Sequence, residues 1–152
     1  MIFPQTLYTS NAIETEEVGK NLAEKMQKDP SLPPFVALYG DLGVGKTAFV
    51  RGFASVISPT STVRSPTFAL VNEYRAKPRA LFHFDMYRID SEDDLYSIGF
   101  YDYLDRNGIC LVEWSEKIPF ALPDSYLRVT IEKDDPSNPD HRQITLESVE
   151  EY

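Results

Sequence analysis

The chain has 152 residues, enough for one substantial core and short for two, and its 15 Lys and Arg are outnumbered by 24 Asp and Glu, a net charge of −9. Residues 1–75 are balanced and the whole acidic excess falls in residues 76–152, which argues against free-standing nucleic-acid binding, since that rests on clustered Lys and Arg neutralising phosphates. The single cysteine, Cys110, lies in the apolar run GICLVEW with no intrachain disulfide partner, and no apolar run reaches the ~18 residues of a membrane span, so a soluble, cytoplasmic protein of one domain over residues 1–152 is expected.

The first predicted element is a helix in SNAIETEEVGKNLAEKMQKDP: cap-type residues lead, Glu fills the first turns, Val18, Leu22 and Met26 recur on one face, and Pro30 stops it. PFVALYG, bounded by Pro34 and Gly40, suits a short buried strand. In KTAFVRGFASVI a second helix sets Phe49, Phe53 and Ile57 on one face. After a Ser-, Thr- and Pro-rich linker, FALVNEY and ALFHFDMY read as two strands joined by a turn at RAKPR. SEDDLYSIGFYDYL starts as a helix with acids where the dipole favours them, and Gly99 breaks it. GICLVEW is a further buried strand, and SYLRVTIEK with HRQITLESV alternates as an antiparallel hairpin should.

Between the first strand and the second helix stands GDLGVGKT, Gly40 to Thr47, which fits G-x-x-x-x-G-K-[ST] in the strand-to-helix context the pattern requires. Chance matches in a chain of this length number on the order of 0.01, so the motif is taken as a phosphate-binding loop. Glycine lets the backbone curl with its N–H groups converging on an anion at a helix N-terminus, where a Cβ would obstruct both curl and approach. Lys46 then reaches the β and γ phosphates and the Thr47 hydroxyl is placed for Mg2+. The phosphate belongs to a nucleoside triphosphate; the guanine signature [NT]-K-x-D is absent, which favours ATP.

Such enzymes need a carboxylate at the end of a second strand to hold Mg2+. ALFHFD ends at Asp85 and CLVE at Glu113; Asp85 is given the metal role, and Glu113 either the metal or the orienting or deprotonation of the attacking water. RSPTF lies about 20 residues beyond Thr47, where switch segments carry a hydroxyl that senses the γ phosphate: Pro66 keeps Ser65 extended, and Thr67 is the candidate sensor, followed by Phe68. His83, alternating with Phe82 and Phe84, reads as a core or supporting histidine rather than a metal ligand, and Trp114 as a packing residue close to the nucleotide.

In order along the chain, GDLGVGKT, SPTF, HFDMYR and VEW together closely resemble the TsaE (YjeE) family, small bacterial ATPases of tRNA threonylcarbamoyladenosine synthesis. The resemblance implies a single-domain α/β P-loop NTPase with a mixed sheet of about seven strands flanked by helices and a C-terminal antiparallel hairpin. It implies that the loop residues Gly40, Asp41, Leu42, Gly43, Val44, Gly45, Lys46, Thr47 and Ala48 hold ATP, that Thr47 and Glu113 contact Mg2+, that Asp85 takes the second-strand acidic position, and that Thr67 belongs to the first switch. Trp114 is implied to lie against the nucleotide site, and residues near Ser10 and Asn11 to border the base. Val44 stands where the family usually has alanine, and Ala48 where a second threonine is common. By the same resemblance the partners are TsaD and TsaB, which modify adenosine 37 of tRNAs reading codons that begin with A, with tRNA met only through the complex and neither membrane nor DNA involved. Two rivals share the loop: a small-molecule kinase, which would need an acceptor pocket and an arginine-bearing lid, for which Arg88 and Arg106 stand singly after the second strand, and a module that holds ATP without turnover.

Overall fold

The computed structural model describes residues 3–40, 45–64, 66 and 70–150. The expectations at Asp41, Leu42, Gly43, Val44, Ser65, Thr67 and Phe68 lie outside the described residues. Strand β1 (Gln5–Thr9) leads into helix α1 (Ala12–Lys28), followed by β2 (Phe35–Tyr39), α2 (Lys46–Ile57), β3 (Val71–Tyr74) and β4 (Ala80–Asp85). Two short helices, α3 (Glu92–Ser97) and α4 (Phe100–Leu104), precede β5 (Gly108–Glu113), and β6 (Ser125–Asp135) with β7 (Asn138–Glu150) closes the fold. Gly99, at φ 72°, parts α3 from α4, a left-handed conformation that glycine adopts without strain.

The expected mixed sheet is present, with seven strands in the order β1-β7-β6-β2-β5-β4-β3. The central strands β6, β2, β5 and β4 run parallel, while β3 and the β6–β7 hairpin with β1 pair antiparallel at the two sides. β1 has no clear counterpart in the element pattern of the sequence. It is a short edge strand held by its register with β7, Gln5 opposite Leu146 to Thr9 opposite Arg142.

Strand alternation divides the core in two. Val36, Leu38, Leu81, Ile109, Leu111, Leu127 and Val129 face α1 and α2, with Phe49, Phe53 and Leu22 against them. Phe35, Ala37, Phe82, Phe84, Cys110 and Val112 face α3 and α4, around Phe100 and Leu95. Helices thus cover both faces, as parallel strands require. Among the described residues no helix is long and apolar enough to cross a membrane.

The helices α1 and α2 meet backbone to backbone at Gly19 and Gly52. A Cβ on Gly52 would stand 1.9 Å from the Glu16 carbonyl oxygen, and one on Gly19 would stand 2.2 Å from that of Phe49. In an exposed helix Gly→Ala stabilises by up to about 1 kcal/mol, so the sign separates packing from propensity. Gly52→Ala is expected to lower unfolding free energy by about 1–3 kcal/mol, read from the denaturant midpoint, because α2, the helix that follows the glycine loop, must move off α1. An unchanged or higher midpoint would contradict the close crossing.

Candidate functional site

β2 ends at Tyr39, and its parallel neighbours β5 and β4 end beside it at Glu113 and Asp85, so the residues after these strands share one edge of the sheet. Ligands of open α/β sheets gather at this carboxyl edge. Leu38 is opposite Glu113, and Glu113 is opposite Asp85, so β5 lies directly against the loop-bearing strand and β4 one strand further out. In β4 and β5, His83, Asp85 and Glu113 continue the alternation of Leu81, Ile109 and Leu111, which places them on the face that α2 covers.

Gly40 and Gly45 bracket the loop with φ of 144° and 103°, conformations in which a side chain would be strained. Gly45 is the N-cap of α2, which has no side-chain cap and no acidic residue in its first turn. The other long helix differs: the Asn11 side-chain oxygen accepts from the Glu14 N–H at 2.9 Å at the head of α1, and the Glu14 carboxylate accepts from the Ser10 N–H at 2.7 Å. The positive end of the α2 dipole is therefore left without a capping side chain, the arrangement that suits an external anion.

Lys46 is only 6% exposed. Its ammonium donates to the Gly40 carbonyl at 2.7 Å and lies 4.0 Å from the centre of the Trp114 ring. Burying a charged amine is costly unless it is paired, and the carbonyl and the ring face offset part of that cost. Trp114 itself has φ 58°, uncommon for a bulky residue, and its ring packs 5.0 Å from that of Tyr87. Tyr39, the residue before Gly40, is pushed up to about 12, chiefly by burial, with Tyr126 adding to the shift and Arg128 opposing it. The loop is thus flanked by a neutral phenol.

A cleft beside α2 is lined by Thr47, Val50, Arg51, Val63, Arg64, His83 and Glu113. Thr47 is exposed, and Glu113 is held through one carboxylate oxygen by His83 Nε2 at 2.6 Å. Asp85 is not among the cleft residues; it is nearly buried, and its Oδ1 accepts from the Tyr87 N–H at 2.9 Å. A second depression brings Asn11, Ala12 and Thr15 of the α1 start to Gly45, with Asp140 and Arg142 of β7 forming its far wall. Pro66 is buried, and its carbonyl accepts from the Leu70 N–H at 2.6 Å. Ala48 is buried behind Lys46 on α2.

Three arginines of these clefts had no place in the sequence reading. Arg51 follows Thr47 by four residues on one helix and so shares its face, a signal available in the spacing. Arg64 directly precedes SPTF; Arg142 reaches Gly45 only because the terminal hairpin joins the sheet beside β2, which no local pattern reveals. For a divalent ion the donors fit a hard, oxygen-preferring cation: a hydroxyl at Thr47 and a carboxylate at Glu113 share a cleft. Among the described residues no group of three His, Cys, Asp or Glu is close enough to hold a metal by itself.

Comparison with known proteins agrees with this architecture. The sequence model described as "Threonylcarbamoyl adenosine biosynthesis protein TsaE" matches residues 9–144. The tRNA threonylcarbamoyladenosine biosynthesis protein TsaE of Haemophilus influenzae is 37% identical over 144 residues, covering 93% of this chain and 87% of that protein. The protein of the same name from Bacillus subtilis is 36% identical over 141 residues, covering 93% and 84%. Among solved structures, that of Bacillus subtilis YdiB superposes with a TM-score of 0.73 at 30% identity, over 98% of this chain and 87% of that one. On the combined strength of the family match over most of its length and these relatives, the chain belongs to the TsaE family of tRNA threonylcarbamoyladenosine biosynthesis.

Proposed function

We propose that the chain is one P-loop ATPase domain that binds and hydrolyses ATP with Mg2+ and serves as a switch on the TsaD–TsaB complex. That machinery makes N6-threonylcarbamoyladenosine at position 37 of tRNAs reading ANN codons. The observation that carries the reading is the head of α2: an uncapped helix N-terminus with a buried Lys46, beside a cleft shared by Thr47 and Glu113. The motif from Gly40 to Ala48 holds the phosphates at the head of α2, and Lys46 exchanges the Gly40 carbonyl and the Trp114 face for phosphate oxygens. Thr47 and Glu113 hold Mg2+, with Asp85 behind them one strand out. When bound, Mg2+ neutralises charge on the β and γ phosphates. Glu113 also orients the attacking water, and Arg51 and Arg64 place positive charge at the cleft where negative charge gathers. Asn11, which lines the depression with Gly45 and Arg142, borders the base together with its neighbour Ser10.

The segment from Ser65 to Phe68 adjoins Arg64, whose backbone is pinned by Tyr74: the Arg64 N–H donates to the phenol oxygen at 3.0 Å and the phenol lies 3.2 Å from the Arg64 carbonyl. A fixed stem next to the γ-phosphate cleft lets that segment respond to the nucleotide state, which TsaD and TsaB read. tRNA is met only through the complex, in keeping with a net charge of −9, and the protein works in the cytoplasm. Arg106, one of the two arginines a kinase lid could use, is committed elsewhere: it pairs with Glu73 and lies over the Phe82 and Tyr103 rings.

Trp114 is the single tryptophan and lies 4.0 Å from the ammonium that must move. Adding ATP is expected to change its fluorescence saturably, with tighter binding when Mg2+ is present. No change, together with no heat of binding in calorimetry, would overturn the reading.

A further inference from the structure

We propose that His83 is the positioning residue for Glu113, donating Nε2–H to one carboxylate oxygen and so dedicating the other to the cleft in which Thr47 stands. The inference rests on the Mg2+–ATP reading given above.

The bond spans 2.6 Å between side chains that are 3% and 14% exposed. His83 is opposite Leu111 and Asp85 is opposite Glu113, so the contact runs diagonally between the parallel strands β4 and β5. An ionised carboxylate only accepts, which puts the imidazole proton on Nε2. The other ring nitrogen, Nδ1, is buried and has no hydrogen-bond partner among the described residues. The polar engagement of His83 is therefore with Glu113.

That one-sided arrangement is poor for folding alone. A buried polar atom left unpaired is destabilising, and the strand positions on either side hold phenylalanines, Phe82 and Phe84, both fully buried. An apolar ring at 83 would satisfy the sheet without an orphaned nitrogen. The charge-assisted bond to Glu113 gives the imidazole a purpose that packing does not. A glutamate has three rotatable bonds, and a fixed donor on one oxygen removes much of that freedom before a ligand arrives. Partners that hold a metal-ligating group in place are typically worth 10–100-fold in metal affinity.

The test uses three variants of the full chain. In His83→Gln the side-chain amide nitrogen can stand where imidazole Nε2 stands; His83→Asn is too short to reach Glu113; His83→Phe fills the volume without a donor. Trp114 fluorescence reports ATP affinity first in EDTA and then across a Mg2+ titration, with the unfolding midpoint of each variant measured alongside. The expected result is metal-free ATP affinity within about threefold of the parent for all three, with the Mg2+ concentration at half-effect raised about 10–100-fold in His83→Asn and His83→Phe and largely restored in His83→Gln. In a Glu113→Gln background His83→Phe should add no further shift.

A folded His83→Asn or His83→Phe that titrates with Mg2+ like the parent overturns the proposal, even where its unfolding midpoint falls. So does His83→Gln behaving no better than His83→Asn. Should His83→Phe fail to fold, the contrast between Gln and Asn decides. A parent protein that binds ATP with no response to Mg2+ overturns instead the metal reading on which the proposal stands, and is told apart because the parent itself then fails.

Discussion

Lys46→Ala is expected to weaken ATP binding by at least about 100-fold while leaving the fold as stable as before. Among the described residues the Lys46 ammonium is the one cation buried at the head of α2, where the helix has no capping side chain and no acidic residue in its first turn. Its loss removes a charge-assisted contact to the phosphates that the backbone N–H groups alone cannot replace. The same group is a buried charge held by the Gly40 carbonyl at 2.7 Å and the Trp114 ring at 4.0 Å, so its removal relieves desolvation as well as deleting contacts. Lys46→Met, which keeps the apolar stem against Trp114, separates the two effects. Calorimetric titration with ATP and a thermal melt of each variant measure them; ATP affinity within about threefold of the parent would remove the phosphate-loop assignment.

Glu113→Gln is expected to do the converse. Turnover should fall about 10²–10⁴-fold, while ATP affinity in EDTA changes by less than about threefold. Glutamine keeps the volume and a carbonyl oxygen beside His83 Nε2, so the strand end and the cleft shared with Thr47 persist. What it loses is negative charge, and with it both the hold on a divalent cation and the capacity to take or steer a proton of water. Asp85→Asn offers the contrast. Asp85 stands one strand further from the loop, and its Oδ1 accepts from the Tyr87 N–H, so its loss is expected to cost less turnover than that of Glu113. Single-turnover hydrolysis measured for both variants gives the order; a more severe Asp85→Asn would exchange the two roles.

Much of this was legible before any coordinates. The glycine loop, the strand ends at Asp85 and Glu113, the break at Gly99 and the terminal hairpin are local signals, carried by residue types whose backbone or charge preferences act within a few positions. Strand order is not local. In the chain β4 precedes β5, yet β5 is the strand inserted beside β2, and this alone puts Glu113 nearer the loop than Asp85. The His83–Glu113 bond depends on the register of two strands separated by two helices, so the sequence offered only an alternating histidine. β1 is not legible in the sequence because five residues at an edge carry little pattern of their own and are held by β7, whose partner positions lie at the opposite end of the chain. Arg142 reaches Gly45 by the same long-range route.

The measurement that bears most directly on the ATP switch is phosphate release from ATP by the pure protein with and without TsaD and TsaB, for the parent and for Glu113→Gln. The account predicts slow release alone, clear stimulation by the complex, and loss of that stimulation in the variant. Release that is indifferent to the complex and to Glu113, or phosphate passed to a small-molecule acceptor in place of water, would contradict it.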